Sequence, residues 1–394
     1  MKIYSKKSIN KIKSILSSGK VNYWNGNEGK KFEREFSNYI GNKYSVAVSN
    51  GSVALEIALK TLGLKKKDQV IVSSRSFVIS ASCVLNLGLK PVFADVDHNG
   101  NLNINTIKKA YNSNVKAIII VHLNGLACDL QPIVKFVKKN KIFLIEDCSQ
   151  AHGAVYQNKK VGSFGDISTW SFCTDKIIST GGEGGLISTN KKKLWLKSWS
   201  LKDHGKNYMS CFFKKHKTGF KWLHDNLGSN HRMTEIQAHL GREQLKTLDK
   251  NINIRNLIAN LYLDGLKNYY QKFDVLIKPN FKCQSCPLKK NIENCNKCVH
   301  SFYRLNLFVN KKKINQIKLV ELLNKKMIDC SIGACPEIYR EKIFKKYKLS
   351  PKKRLSNAKL LGETSIVFPI NPQKSLNKVN LEIMYIKKIL SKFI

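Results

Sequence analysis

Between residues 43 and 190, short β-branched runs alternate with amphipathic stretches. "KYSVAVS" is followed by "VALEIALKTLG", "QVIVSS" by "FVISASCVLNLG" and "VKAIIIVHL" by "LQPIVKFVKKN"; "IFLIED" and "ISTWSF" come next. A strand that is apolar on both faces must be covered on both, and a helix after each strand supplies the cover. The pattern therefore predicts an α/β fold, a mostly parallel sheet wrapped by helices. Ligands in such sheets bind beyond the carboxyl ends of the strands, so the informative residues are those just after each run. Beyond residue 232, "MTEIQAHLGREQLKTLDKNINIRNLIANLYLDGLKNYY" has apolar residues three and four apart and predicts long helices. The expected division is a large domain over 1–247 and a smaller C-terminal α+β domain over 248–394.

Charge narrows the classes of function. The 69 Lys and Arg against 27 Asp and Glu give a formal net charge of +42. The lysines are spread along the whole chain among Asn and Ile, with no arginine-rich or aromatic-interleaved stripe, so the charge reads as compositional drift and no nucleic-acid partner is expected. A positive field of this kind still draws in a phosphorylated or carboxylated small substrate. The longest apolar runs, such as "AIIIV" at Ala117 to Val121, are too short to cross a bilayer, so no membrane insertion is expected. The N-terminal "MKIYSKKSINKIKSILSSGK" has no continuous apolar core and reads as a surface helix, not a secretory signal. Eleven cysteines without such a signal fit a reducing, cytoplasmic setting. Seven of them (Cys83, Cys128, Cys148, Cys173, Cys211, Cys330 and Cys335) are scattered and read as packing.

The strand ends carry the candidate chemistry. "SNGSVALEIAL" places Asn50, Gly51 and Ser52 between a strand and a helix, where unpaired N–H groups and a hydroxyl suit a phosphate; an ordinary serine N-cap is the competing reading. "IFLIEDCSQAHG" ends a strand with Glu146 and Asp147, each open to a role as a buried hydrogen-bonding group, a metal ligand or the partner of a cationic ring nitrogen. Phe77 follows another strand as an aromatic plate or a core residue, and Lys176 sits between two predicted strands before a glycine-rich run. Together these are the parts that pyridoxal 5'-phosphate needs: a helix N-terminus for its phosphate, a carboxylate for its ring nitrogen and a lysine for its aldehyde. A lysine that attacks a carbonyl does so unprotonated, so burial and nearby positive charge are expected to lower the pKa of Lys176.

In order and spacing these motifs resemble the DegT/DnrJ/EryC1/StrS family of pyridoxal-phosphate sugar aminotransferases. The resemblance runs from "GNEGKKFEREFSNYIG" through "SNGSVALEIAL", "KPVFADVD", "EDCSQAHGA" and "GSFGDISTWSFCTDKIISTGGEGGLISTN" to "LGSNHRMTEIQAHLGREQL", and thins beyond about residue 250. It implies the aspartate aminotransferase-like, type I fold and an enzyme that aminates a nucleotide-linked keto-sugar, with an amino acid such as glutamate as donor, for lipopolysaccharide O-antigen or another surface polysaccharide. It also implies a role for each matching residue. Lys176 would form the Schiff base and move protons at the substrate carbon, Asp147 would pair with the ring nitrogen, and Gln150 would lie near the ring hydroxyl. Phe77 would stack on the ring. Ser52, Ser171 and the backbone at Gly51 and Val53 would hold the phosphate. Asn230 would reach the phosphate in the other subunit, so that a homodimer is required.

The departures fall on substrate contacts. His231 replaces the family's usual tyrosine, and His300 begins "HSFYRL", which matches a His-x-x-Tyr-type stretch; both are candidate substrate contacts. Arg75 is a candidate for a substrate carboxylate, with a surface arginine as the alternative. A dehydratase of the same family is a rival reading, although such enzymes carry histidine where this chain has Lys176.

A second constellation is "KCQSCPLKKNIENCNKCVH", an insertion at about 281–299. Cys283, Cys286, Cys295 and Cys298 form two C-x-x-C pairs separated by eight residues, the spacing of a tetrahedral structural zinc site. An iron–sulfur cluster and unligated thiols are the alternatives. The rival from another class is a basic zinc-containing nucleic-acid-binding protein, marked by steep salt dependence and no cofactor colour.

Overall fold

The computed structural model describes residues 4–278, 297–333 and 336–394. Cys283, Cys286 and Cys295 lie outside the described residues, so the four-cysteine expectation is not placed; Cys298 is described and buried. The main sheet has seven strands: β1 (Tyr44–Val48), β2 (Gln69–Ser73), β3 (Lys90–Ala94), β4 (Val115–Val121), β5 (Phe143–Asp147), and, after a hairpin of β6 (Val155–Tyr156) and β7 (Lys159–Lys160), β8 (Ile167–Ser171) and β9 (Gly185–Thr189). Their spatial order is β1-β9-β8-β5-β4-β2-β3. Strand β9 alone runs against the others and separates β1 from β8.

The apolar runs explain this layering. Successive strand residues point to opposite faces, and both faces of β4 are buried: Ile118 and Ile120 join one core with Phe36 and Trp170, while Ala117 and Ile119 join the other with Leu55 and Trp199. Four helices precede or follow the first strands, α1 (Lys6–Ser17), α2 (Glu28–Ile40), α3 (Gly51–Leu62) and α4 (Ile79–Asn86). Helix α2 has no side-chain cap from its own N-cap residue, Asn27. The carboxylate of Glu235, only 1% exposed, does that work from another helix: it accepts the N–H groups of Glu28 and Gly29, the latter at 3.0 Å.

A second core surrounds an antiparallel sheet of β10 (Leu276–Ile277), β11 (Arg304–Val309) and β12 (Ser365–Pro369), with β11 in the middle. The helix Leu248–Gly265 belongs to both cores. Its Leu248 and Ile252 pack in the first, and Ile258, Ala259, Tyr262 and Leu263 in the second.

His300 lies in the segment that leads into β11, and it is buried. Its ring stacks on Phe302 with centroids 3.8 Å apart, and Nδ1 accepts the Phe302 N–H at 2.8 Å. Burial pushes its pKa down to about 3, so the folded protein holds a neutral imidazole.

Two stability predictions follow from these placements. Glu235→Ala strands two N–H groups at the start of α2, and is expected to cost about 3 kcal/mol in urea unfolding. For His300, the unfolded chain takes up a proton below its ordinary pKa of about 6.5 while the folded chain does not until about pH 3, so stability is lost as pH falls through that window. His300→Asn, which keeps an acceptor for Phe302, is expected to flatten the fall of Tm between those two pH values; an unchanged slope would remove His300 as its source.

Candidate active site

The carboxyl ends of five parallel strands open into one cavity of about 700 Å³. The segment after β1 contributes Asn50, Gly51, Ser52 and Val53; that after β2 contributes Ser76 and Phe77; that after β4 contributes Asn124. Strand β5 ends in Asp147, followed by Ser149 and Gln150, and β8 ends in Ser171, followed by Cys173, Asp175 and Lys176. The second sheet adds Tyr303 and Arg304.

At one side of the cavity the chain turns from β1 into α3. Asn50 is extended, and its side chain accepts the Val53 N–H at 2.9 Å, so the Val53 donor is already used by the cap. The first-turn N–H groups at Gly51 and Ser52 have no carbonyl one turn before them and carry the positive end of the helix dipole. A Cβ at Gly51 would fall 2.6 Å from the Ser171 Cβ, and one at Gly185 would fall 2.3 Å from the Asn50 carbonyl oxygen. Glycine at these two positions lets the turn close onto β8 and β9 and leaves a small cradle of N–H groups with the hydroxyls of Ser52 and Ser171 nearby.

Asp147 is buried at the cavity wall and accepts the Ser149 N–H at 3.1 Å and the Ser80 hydroxyl at 3.4 Å. Burial raises its pKa, against the hydrogen bonds of Ser149 and the positive field of Lys176. A carboxylate in such a place gains from a cationic partner. Its neighbour Glu146 points the other way and is fully used. It accepts N–H groups from Gly162, Phe164 and Gly165 at 2.8, 2.8 and 2.6 Å, and contacts His122 Nε2 at 3.1 Å. Burial disfavours its charge, but His122 and these N–H groups outweigh burial and lower its pKa. His122 Nδ1 accepts the Cys128 N–H at 3.1 Å, which places the imidazole proton on Nε2, facing Glu146. His122, Glu146 and Cys148 lie close enough together for a metal, yet neither ring nitrogen has a free lone pair for one. Of the roles open to these two acids, Glu146 takes the structural one.

Gln150 Oε1 accepts the Asn124 N–H at 2.9 Å, which leaves its amide NH2 as a donor. Phe77, a large aromatic 61% exposed, presents a ring at the cavity wall and is not a core residue. Lys176 Nζ lies 3.3 Å from Asp175 Oδ1 and 3.4 Å from the Tyr303 hydroxyl. The expected lowering of its pKa is overturned. Burial does disfavour the ammonium, but Tyr303, Cys173 and Asp175 around it more than reverse burial, and the pKa is raised.

The cavity thus gathers Lys176, Gly51, Ser52, Val53, Phe77, Asp147, Gln150 and Ser171. It does not gather the remaining candidates. Asn230 is exposed on the segment that runs beside Asp203, and His231 holds the Ser49 N–H through its carbonyl, outside the cavity wall of its own chain. His300 is buried away from it. Arg75 is no surface arginine: it is 2% exposed, and Nη2 donates to Ser365 Oγ at 2.8 Å behind Gly333. Tyr303, Arg304, Asn124 and Asp175 were not among the candidates. Tyr303 lies three residues after His300 in "HSFYRL", so that stretch held the signal, and its tyrosine and arginine, not its histidine, reach the site.

The sequence profile of the DegT/DnrJ/EryC1/StrS aminotransferase family matches residues 2–383. The X-ray structure of the aminotransferase from Psychrobacter cryohalolentis is 36% identical and superimposes with a TM-score of 0.94, covering 99% of this chain and 98% of that one. An uncharacterized protein of Methanocaldococcus jannaschii is 30% identical over 386 residues, 97% of this chain and 95% of that protein. GDP-perosamine synthase of Escherichia coli O157:H7 is 37% identical over 247 residues, 62% of this chain and 65% of that enzyme. With this match over nearly the whole sequence, and with the lysine, the acid and the helix N-terminus in one cavity, the chain belongs to the DegT/DnrJ/EryC1/StrS aminotransferase family.

Proposed function

We propose that the protein is a pyridoxal-phosphate-dependent aminotransferase that transfers an amino group from an amino acid such as glutamate to the ketone of a nucleotide-linked sugar, as a step toward a surface polysaccharide such as O-antigen. One observation carries the reading: Lys176 and the buried carboxylate of Asp147 face the same cavity, with the N-terminus of α3 and Ser171 in its wall. The residues fit the cofactor. The cradle that a Cβ at Gly51 would fill suits its phosphate, and the raised pKa of Asp147 marks a carboxylate that a protonated ring nitrogen would stabilise. When bound, the cofactor supplies an electron sink for negative charge at the substrate carbon.

The chain's own groups do the rest. Ser52, Ser171 and the first N–H groups of α3 would hold the phosphate, Asp147 would keep a proton on the ring nitrogen, Gln150 would offer a donor to the ring hydroxyl and Phe77 would pack against the ring. Lys176 would hold the cofactor, and its amine would carry a proton to and from the substrate carbon. The net charge of +42 favours capture of the nucleotide diphosphate. Lysine at 176 counts against the dehydratase.

A homodimer is part of the reading. In the stretch leading to Asn230, Phe220 and Trp222 are each 76% exposed and Leu227 is 98% exposed, an apolar surface that a second copy would cover while bringing Asn230 to its cavity. Among the described residues no helix is long and apolar enough to cross a membrane, which fits work in the cytoplasm on a soluble sugar nucleotide. The paired cysteines at 283, 286, 295 and 298 add a structural zinc on their spacing alone.

The purified protein is expected to absorb in the near-ultraviolet to visible range, to lose that band on borohydride reduction and to change it on addition of glutamate. Lys176→Ala should abolish the reducible band and turnover; a colourless wild type, or turnover without Lys176, would sink the assignment. Elemental analysis should find about one zinc per chain, a ratio that four-cysteine coordination requires. Absence of both zinc and iron would remove the metal site.

A further inference from the structure

Asp175 adjoins Lys176 in the loop between β8 and β9, half-exposed at the cavity wall. Its two oxygens share Lys176 and otherwise have different partners. Oδ1 lies 3.3 Å from Lys176 Nζ and accepts the Cys173 thiol at 2.9 Å. Oδ2 accepts the Tyr303 hydroxyl and lies 3.5 Å from both Lys176 Nζ and Arg304 Nη2. Tyr303 also lies 3.4 Å from the lysine nitrogen and 3.2 Å from Arg304 Nη2. Arg304 is the first residue of β11 and Tyr303 immediately precedes it, so this cluster joins the lysine loop to the second sheet.

Among the described residues, few other charged groups line the cavity around Lys176. Asp147 at the end of β5 feels the lysine's field, Glu56 and Glu183 also line the cavity, and Arg304 shares Asp175 Oδ2 and the Tyr303 hydroxyl with the lysine. Among these described neighbours, carboxylates outnumber the guanidinium of Arg304. A carboxylate at this distance favours the ammonium form, while attack on a carbonyl and removal of a proton from carbon both need the free amine. The ammonium is in turn the form that returns a proton to carbon.

We propose that Asp175 is a positioning residue for Lys176: whenever the amine is free, Asp175 and the Tyr303 hydroxyl hold it as an ammonium on the Tyr303 side of the cavity. The amine draws its proton from solvent, and no other bond changes. Asp175 thereby sets how much free amine is present at neutral pH. It restrains the step in which Lys176 engages a carbonyl, and it keeps the proton at hand for the step that needs an acid. This rests on the reading in which Lys176 is the lysine that bears the cofactor.

The test uses the full-length chain stripped of cofactor and needs no catalysis. Acetylation of Lys176 by acetic anhydride is followed by peptide mass spectrometry as a function of pH in wild type, Asp175→Asn and Tyr303→Phe. Asp175→Asn is expected to move the profile to lower pH and to raise labelling at neutral pH about tenfold, the change that corresponds to a pKa one unit lower. Tyr303→Phe should move it the same way by a smaller amount. A misfolded variant would raise labelling of lysines throughout the chain, whereas the proposal requires a change confined to Lys176. Superimposable Lys176 profiles in all three proteins would overturn it. Because the readout needs no cofactor, that result stands apart from whether the native protein takes up pyridoxal phosphate.

Discussion

The contact of the β1–α3 turn with the ends of β8 and β9 is the constraint on which the site depends. Gly51 and Gly185 leave no room for side chains there, and the turn closes because neither has one. That closure brings a helix N-terminus and Ser171 together, although they are far apart in sequence. It also fixes the start of the lysine loop, since Ser171 is the last residue of β8. A bulkier residue at either glycine would push the β1–α3 turn away from Ser171 and the lysine loop.

Electrostatics within the cavity divides the acids by what surrounds them. Glu146 and Asp147 are consecutive on β5, yet they face opposite ways. Glu146 is saturated by three N–H groups and His122 and anchors the loop before β8. Asp147 has fewer donors and more burial to oppose its charge, so it is the one suited to a cationic ligand. Asp175 is the converse: burial raises its pKa, but Cys173, Tyr303 and Lys176 lower it much further, and its carboxylate is firmly charged.

What was legible in the sequence was local. Apolar runs such as "VKAIIIV" specified the parallel strands, and each strand end then pointed to its own short motif, so Lys176, Asp147 and Gly51 could be found one strand at a time, while Ser171 came only with the family resemblance. Glu146 and Asp147 could not be told apart by composition; their roles come from donors on residues 162–165. Tyr303 and Arg304 were missed because the fold carries them to the lysine from over a hundred residues away, and no periodicity records such an approach. The direction of the Lys176 pKa was misjudged for the same reason. Burial was foreseen, but the ring of anionic and hydroxyl neighbours was assembled by tertiary structure. Asn230, expected at the phosphate of the other subunit, and His231, expected at the substrate, both lie outside the cavity of their own chain.

The helix Leu248–Gly265 has a further meaning. At about 1.5 Å per residue it is a rod of about 27 Å, and its two ends are embedded in different cores. The halves of the molecule therefore share a beam, and a cut between them would leave both incomplete. The first half would lose Leu248 and Ile252 from its interior and Tyr303 and Arg304 from its cavity. The second half would lose the surface against which its sheet is held. An exchange of the C-terminal part alone would therefore have to keep this rod matched to both cores.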